Sequence, residues 1–263
     1  MRSIEHIGVV TDAKRKVDAY RVIFPEASVV QVLPRFDEKM ISQGVHHDKM
    51  RAPTISELKA TEDLRCTNNT LGRYATALEW WASHTLAEST VVEIHGKTVA
   101  LTNDVHKFLP DVCGGITLEK PKTEEELFLQ FMNASGQNVW LISGHTMMEL
   151  GGKYSYTTIG VITKAHTRAY TKDAVKDVIR GLGGPERAVQ TAVAGSISLS
   201  RDIPLFDTSI PLEISLYEDI QTMESGVKIA SLPDWGTMDQ EKLWPIVLGI
   251  WPEVGNRLYS RLS

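Results

Sequence analysis

Apolar residues run together in "IEHIGVV", Ile4 to Val10, and mark a short buried strand. After it Val17, Tyr20, Ile23 and Phe24 recur at helical spacing, so Lys14 to Phe24 reads as a helix that Pro25 ends. "SVVQVL", Ser28 to Leu33, is β-branched and predicts a second strand. Such a β-α-β opening is the unit that builds parallel sheets.

The pattern weakens between Asp37 and Asn69, which reads as a long polar loop or insertion with at most one short helix. From Thr70, Leu71, Tyr74, Leu78, Trp81 and Thr85 mark one face of a helix. "STVVEI" and "TVALT" predict two strands around the turn "HGK". The clearest helix is "KTEEELFLQFMNASG": Thr123 and Glu126 form a capping box, Glu124 to Glu126 suit the positive helix end, and Gly136 supplies the stop. "NVWLISGHTMMEL" and "KYSYTTIGVITKAHT" then predict long strands joined as a hairpin at Gly151-Gly152-Lys153. Asp173 to Arg180 reads as a short helix. Beyond about Pro204 the chain is richer in Pro, Trp and isolated turns, which predicts a C-terminal extension packed on the main domain.

Composition narrows the class. With 263 residues, 42% hydrophobic and 23% charged, the chain is an ordinary globular protein with a sizeable core. A formal net charge of -5 provides no global attraction to nucleic acid or an anionic membrane, so any anion site is local. Cys66 and Cys113 make neither a disulfide framework nor a zinc pattern, which fits a reducing cytoplasm. The first apolar run is too short for a signal peptide, and no stretch reaches the length of a membrane span.

Three stretches could carry chemistry. In "TDAKRK" a strand, a turn and a helix start coincide with Lys14, Arg15 and Lys16. Helix N-termini favour anions, so these cations read either as the wall of a phosphate site or as a solvated face. In "LTNDVHKF", Asp104 follows an apolar strand, where a carboxylate can hold a metal or activate water; Thr102, Asn103 and Asp104 can equally make a turn. In "LEKPKTEEEL", Lys120 stands before Pro121 at the mouth of a capped helix, as a phosphate ligand or as part of a charged loop. His46, His47 and Asp48 read as a polar loop. His145, Met147 and Met148 read as packing on a strand; Trp80, Trp81, Trp235, Trp244 and Trp251 read as core packing, with stacking on a base as the alternative. "GLGGPE" lacks the context of a phosphate loop.

Taken together, the order of these stretches resembles the Maf and inosine triphosphate pyrophosphatase superfamily. "GITLEKPKTEEELFLQFMNASGQNVWLISGHTMMEL" is similar to the Maf pattern of G-x-x-x-x-KP, an acidic helix, an "SG" break and a strand carrying "TG", with Ser143-Gly144 at the last position. "KVDAYRVIFP" looks like the helix of the related non-canonical purine nucleotide phosphatases, and "NTLGRYATA" like their G-x-R-x-x-A segment, with Arg73 as the basic residue. The likeness covers residues 4–205 and is poor between 39 and 68.

The resemblance implies an α/β domain over residues 1–205, with an elongated mixed β-sheet flanked by helices and a central cleft, and residues 206–263 as the extension. It implies cleavage of non-canonical or modified nucleoside triphosphates to monophosphate and pyrophosphate, with magnesium. Carried over by position, Thr11, Lys14, Arg15, Lys16 and Arg73 would bind the nucleotide. Asp104, Lys120 and Glu38 would be catalytic, and Asp104 and Asp37 would hold the metal. The expected partner is the nucleotide, with no nucleic acid or membrane, and a homodimer is an open option. The sequence also departs from the pattern: Ala13 replaces the asparagine of T-x-N-x-x-K, the Maf serine-proline-arginine-arginine is absent, and Asn103 replaces the serine before the aspartate. A non-catalytic nucleotide-binding or interaction protein on the same fold is therefore the second class, and the set of carboxylates near Asp104 discriminates between the two.

Overall fold

A computed structural model describes residues 4–11, 13–33, 98–112, 116–118, 121, 123–150, 156–191, 205–217 and 227–262. It opens with β1 (His6–Val10), α1 (Lys14–Ile23) and β2 (Ser28–Val32). Four of the five residues of β1, Ile7 to Val10, are buried, and α1 turns Val17, Ala19 and Tyr20 inward. The helix stops at Phe24, because Pro25 disfavours helical geometry in the residue before it. The expected β-α-β unit is present: β1 and β2 are parallel, with Gly8 opposite Val30.

The middle of the sheet is built from longer strands. They are β3 (Thr98–Leu109), β5 (Asn138–Leu150) and β6 (Tyr156–His166), with the short β4 (Ile116–Leu118) beside β3. β3 runs parallel to β1 but antiparallel to β4 and β5, and β5 is antiparallel to β6. The hairpin pairing of β5 with β6 is as the sequence predicts, while Gly151, Gly152 and Lys153 lie outside the described residues. The sequence reading missed β4, whose three residues are too few to show a period.

Between β4 and β5 lies α2 (Glu124–Ala134), whose ends are those the sequence predicts. The Thr123 side chain accepts a hydrogen bond from Glu126 N at 3.1 Å, and Gly136 takes a φ of 66°, a conformation glycine adopts without penalty. After β6 come α3 (Lys172–Gly181), capped by Thr171, and α4 (Pro185–Thr191). "GLGGPE" is the connection between them, with Gly183 and Gly184 at φ values of 98° and 93°. Helices α2, α3 and α4 bury Leu127, Phe131, Val175, Val178, Ile179 and Ala188 against one another.

The segment after residue 205 contains more than isolated turns. It contributes β7 (Leu212–Tyr217), β8 (Val227–Leu232), α5 (Gln240–Val247) and α6 (Pro252–Leu262). β7 pairs with β6 and β8 with β7, so both belong to the same mixed sheet, in the order β2-β1-β3-β5-β6-β7-β8 with β4 beside β3. One buried cluster joins this sheet to α1, α5 and α6 through Val9, Tyr20, Leu101, Val161, Leu243, Val254 and Leu258. The chain is thus α/β, with a mixed sheet and flanking helices. No helix among the described residues is long and apolar enough to cross a membrane.

Candidate functional site

The start of α1 has the features of an anion-favouring helix end. Ala13 at the N-cap offers no side-chain cap, and the first turn holds no acid to offset the positive end of the dipole. Thr11 is buried, and its Oγ1 accepts from Ala13 N at 3.1 Å, which fixes the turn between β1 and α1. Of the three consecutive cations, Lys14 and Arg15 are exposed. The Arg15 guanidinium lies 5.4 Å from the centroid of the Trp244 ring on α5, within cation–π range.

Lys16 is different. It is half-buried, and its Nζ donates to the backbone carbonyl of Asn103 at 2.5 Å. Of the two readings of the cations, the solvated face does not hold for this residue. The i, i+4 spacing of a helix places Lys16 on the same face as the inward Tyr20 one turn later.

Asn103 and Asp104 also sit differently from the sequence reading. They lie in the middle of the twelve-residue β3, not at a turn after a shorter strand. The pairing with β5 continues without a break to Phe108, with Asn103 opposite His145 and Asp104 opposite Gly144. Sequence alone stopped the strand early because Thr, Asn and Asp are turn formers. Unbroken pairing with β5 overrides that preference. The carbonyl that Lys16 holds belongs to the Asn103–Asp104 peptide link, so the cationic helix start is tied to the backbone of β3 at this point.

Under this link lies a polar network that the sequence reading took for packing. The Tyr20 hydroxyl is 2.7 Å from His145 Nδ1, and both side chains are fully buried. Asn103 Nδ2 donates to Gly144 O at 3.2 Å and lies 3.3 Å from the same Nδ1. An amide NH2 only donates, so the tautomer that suits both neighbours accepts at Nδ1 and carries its proton on Nε2. Burial, and secondarily the charge of Lys16, push the His145 pKa down to about 3, so the ring is neutral at physiological pH. Burial also raises the Tyr20 pKa well above its ordinary value. The signal in the sequence was the polarity of Asn103 and His145 inside apolar strands, which only the register shows to be cross-strand neighbours.

The remaining expected site residues, Asp37, Glu38, Arg73 and Lys120, lie outside the described residues, as do His46, His47, Trp80 and Trp81. Among the described residues no group of three or more His, Cys, Asp or Glu side chains is placed to hold a metal ion. Trp235 is buried as expected, with Nε1 donating to Ile210 O at 2.8 Å and its ring edge-on to Phe206. No protein-family model and no curated protein matches this chain.

Proposed function

We propose that the chain is a metal-dependent pyrophosphatase that converts non-canonical or modified nucleoside triphosphates to monophosphate and pyrophosphate, on an elongated Maf-like domain with a nucleotide cleft. The observation that supports this reading is the bond from Lys16 Nζ to Asn103 O. It ties the cation-rich start of α1 to the backbone of β3 next to Asp104, two segments 87 positions apart in the chain. In this reading Lys14 and Arg15 take the triphosphate, together with Arg73, and Thr11 and Lys16 hold the turn and the strand in place. Asp104 and Asp37 would bind magnesium, which offsets charge on the phosphate oxygens when bound. Glu38 would orient or deprotonate the attacking water, and Lys120 would stabilise charge on the leaving group.

The test is a broad panel of canonical and modified nucleoside triphosphates incubated with the full chain and magnesium. The expected result is monophosphate and pyrophosphate from at least one modified nucleotide. No product above a metal-free control from any nucleotide defeats the enzyme reading. Saturable nucleotide binding without product would place the chain in the second class, a nucleotide-binding protein without turnover.

A further inference from the structure

Lys107, Ser143 and Thr163 sit on β3, β5 and β6 with relative exposures of 2%, 1% and 0%. Lys107 Nζ, Ser143 Oγ and Thr163 Oγ1 all lack a hydrogen-bond partner. The register places them around Leu141, which stands directly opposite both Lys107 and Thr163. Lys107 is opposite Leu141, two residues from Ser143, and Ser143 is opposite Val161, two residues from Thr163. Each step is a diagonal between adjacent antiparallel strands, about 7–8 Å between Cα atoms and within reach of a long side chain. Residues two apart along a strand share a face, so the three polar groups lie on one face of the sheet.

Buried polar groups in folded proteins almost always have partners, because an unpaired one forfeits its hydration without return. Three on adjacent strands of one face are a cluster rather than an isolated defect. What they have in common is the ability to donate: an amine and two hydroxyls. Lys offers no acceptor when charged, so the missing complement is a group rich in acceptors. Leu118 and Leu141 flank Lys107 in the pairing, and Val161 faces Ser143. Such apolar neighbours suit one small anion of single charge and oppose a polyanion, whose further charges would be left without partners.

We infer that Lys107, Ser143 and Thr163 form an interior binding site for a small monovalent oxyanion of the carboxylate type, distinct from the proposed nucleotide site. Its donors are the Lys107 amine and the two hydroxyls, and their near-complete burial restricts it to a free small anion. A side chain carried in by another protein does not reach it. Burial pushes the Lys107 pKa well below its ordinary value, and a bound anion would offset that cost.

Thermal unfolding of the full chain in increasing sodium formate, against sodium chloride at matched ionic strength, tests this. Formate is expected to raise the midpoint along a saturating curve that chloride does not reproduce. Ser143→Ala and Thr163→Val should each weaken the apparent affinity about three- to tenfold, the scale of one hydrogen bond. Lys107→Met should abolish the formate response. If the wild-type midpoint shows no saturable, formate-specific rise, the site does not exist. A formate effect that is equal in wild type and Ser143→Ala overturns it too, and this second comparison stands even if Lys107→Met fails to fold. Nucleotide turnover is not involved, so failure here leaves the proposed function untouched.

Discussion

Tyr20 on α1 and His145 on β5 are 125 positions apart and joined by a buried 2.7 Å hydrogen bond. The bond pins the helix that carries Lys14, Arg15 and Lys16 onto the centre of the sheet. Because His145 is held neutral, acid should loosen this attachment first.

The pH dependence follows from the sign of the shift. His145 has its pKa lowered to about 3 in the folded chain, from an ordinary 6.5. Between those values the unfolded chain binds a proton that the folded chain refuses. The stabilisation is therefore fully present above about pH 6.5 and is lost as pH falls toward 3, by up to about 1.4 kcal/mol per pH unit. Unfolding free energies of wild type and His145→Gln, compared at pH 7 and pH 5, check this. The wild type should lose more over that interval; equal losses would mean that His145 contributes nothing to acid sensitivity.

Gly249 covers the other side of the same ring. Its φ is 70°, and a Cβ there would lie 3.0 Å from His145 Nε2 and 3.0 Å from Ser143 Cβ. Gly249→Ala combines backbone strain with a close approach to two buried side chains, and should destabilise the fold by about 1–3 kcal/mol. Denaturant unfolding measures it, and an unchanged midpoint would show that the 248–250 connection is free to move away.

For the nucleotide site, Arg15→Ala is the cleaner cation variant. Arg15 is exposed, so its loss should cost stability little more than the cation–π contact with Trp244, about 0.5–1 kcal/mol. A charge-assisted contact to phosphate is worth about 1.5–3 kcal/mol, roughly a 10- to 150-fold loss of nucleotide affinity. Titration of a triphosphate that the wild type binds decides the matter. Unchanged affinity returns Lys14 and Arg15 to a solvated helix face.

Asp104→Asn separates chemistry from binding. It keeps the size of the side chain and removes its charge. If Asp104 holds metal or activates water, turnover should fall by roughly a hundredfold or more while affinity changes much less. Normal turnover in this variant would exclude a catalytic role and leave Asp37 and Glu38 as the acids to examine.

Much of the architecture was legible because it is written locally. The β-α-β opening, the Thr123–Glu126 cap, the Gly136 stop and the β5–β6 hairpin depend on neighbours a few residues apart. Periodicity and capping chemistry report such neighbours directly. Pairing across the sheet was not legible in this way. β3 continues through Asn103 and Asp104 because β5 supplies hydrogen bonds along its full length, overruling turn-forming residues. Likewise β7 and β8 complete the sheet from a segment that reads as an extension. The presence of Lys16, Asn103 and His145 was evident in the sequence, but not their meeting. Only the tertiary structure decides that, since register and the placement of α1 set distances between residues far apart in the chain, whereas local propensity carries no term for them.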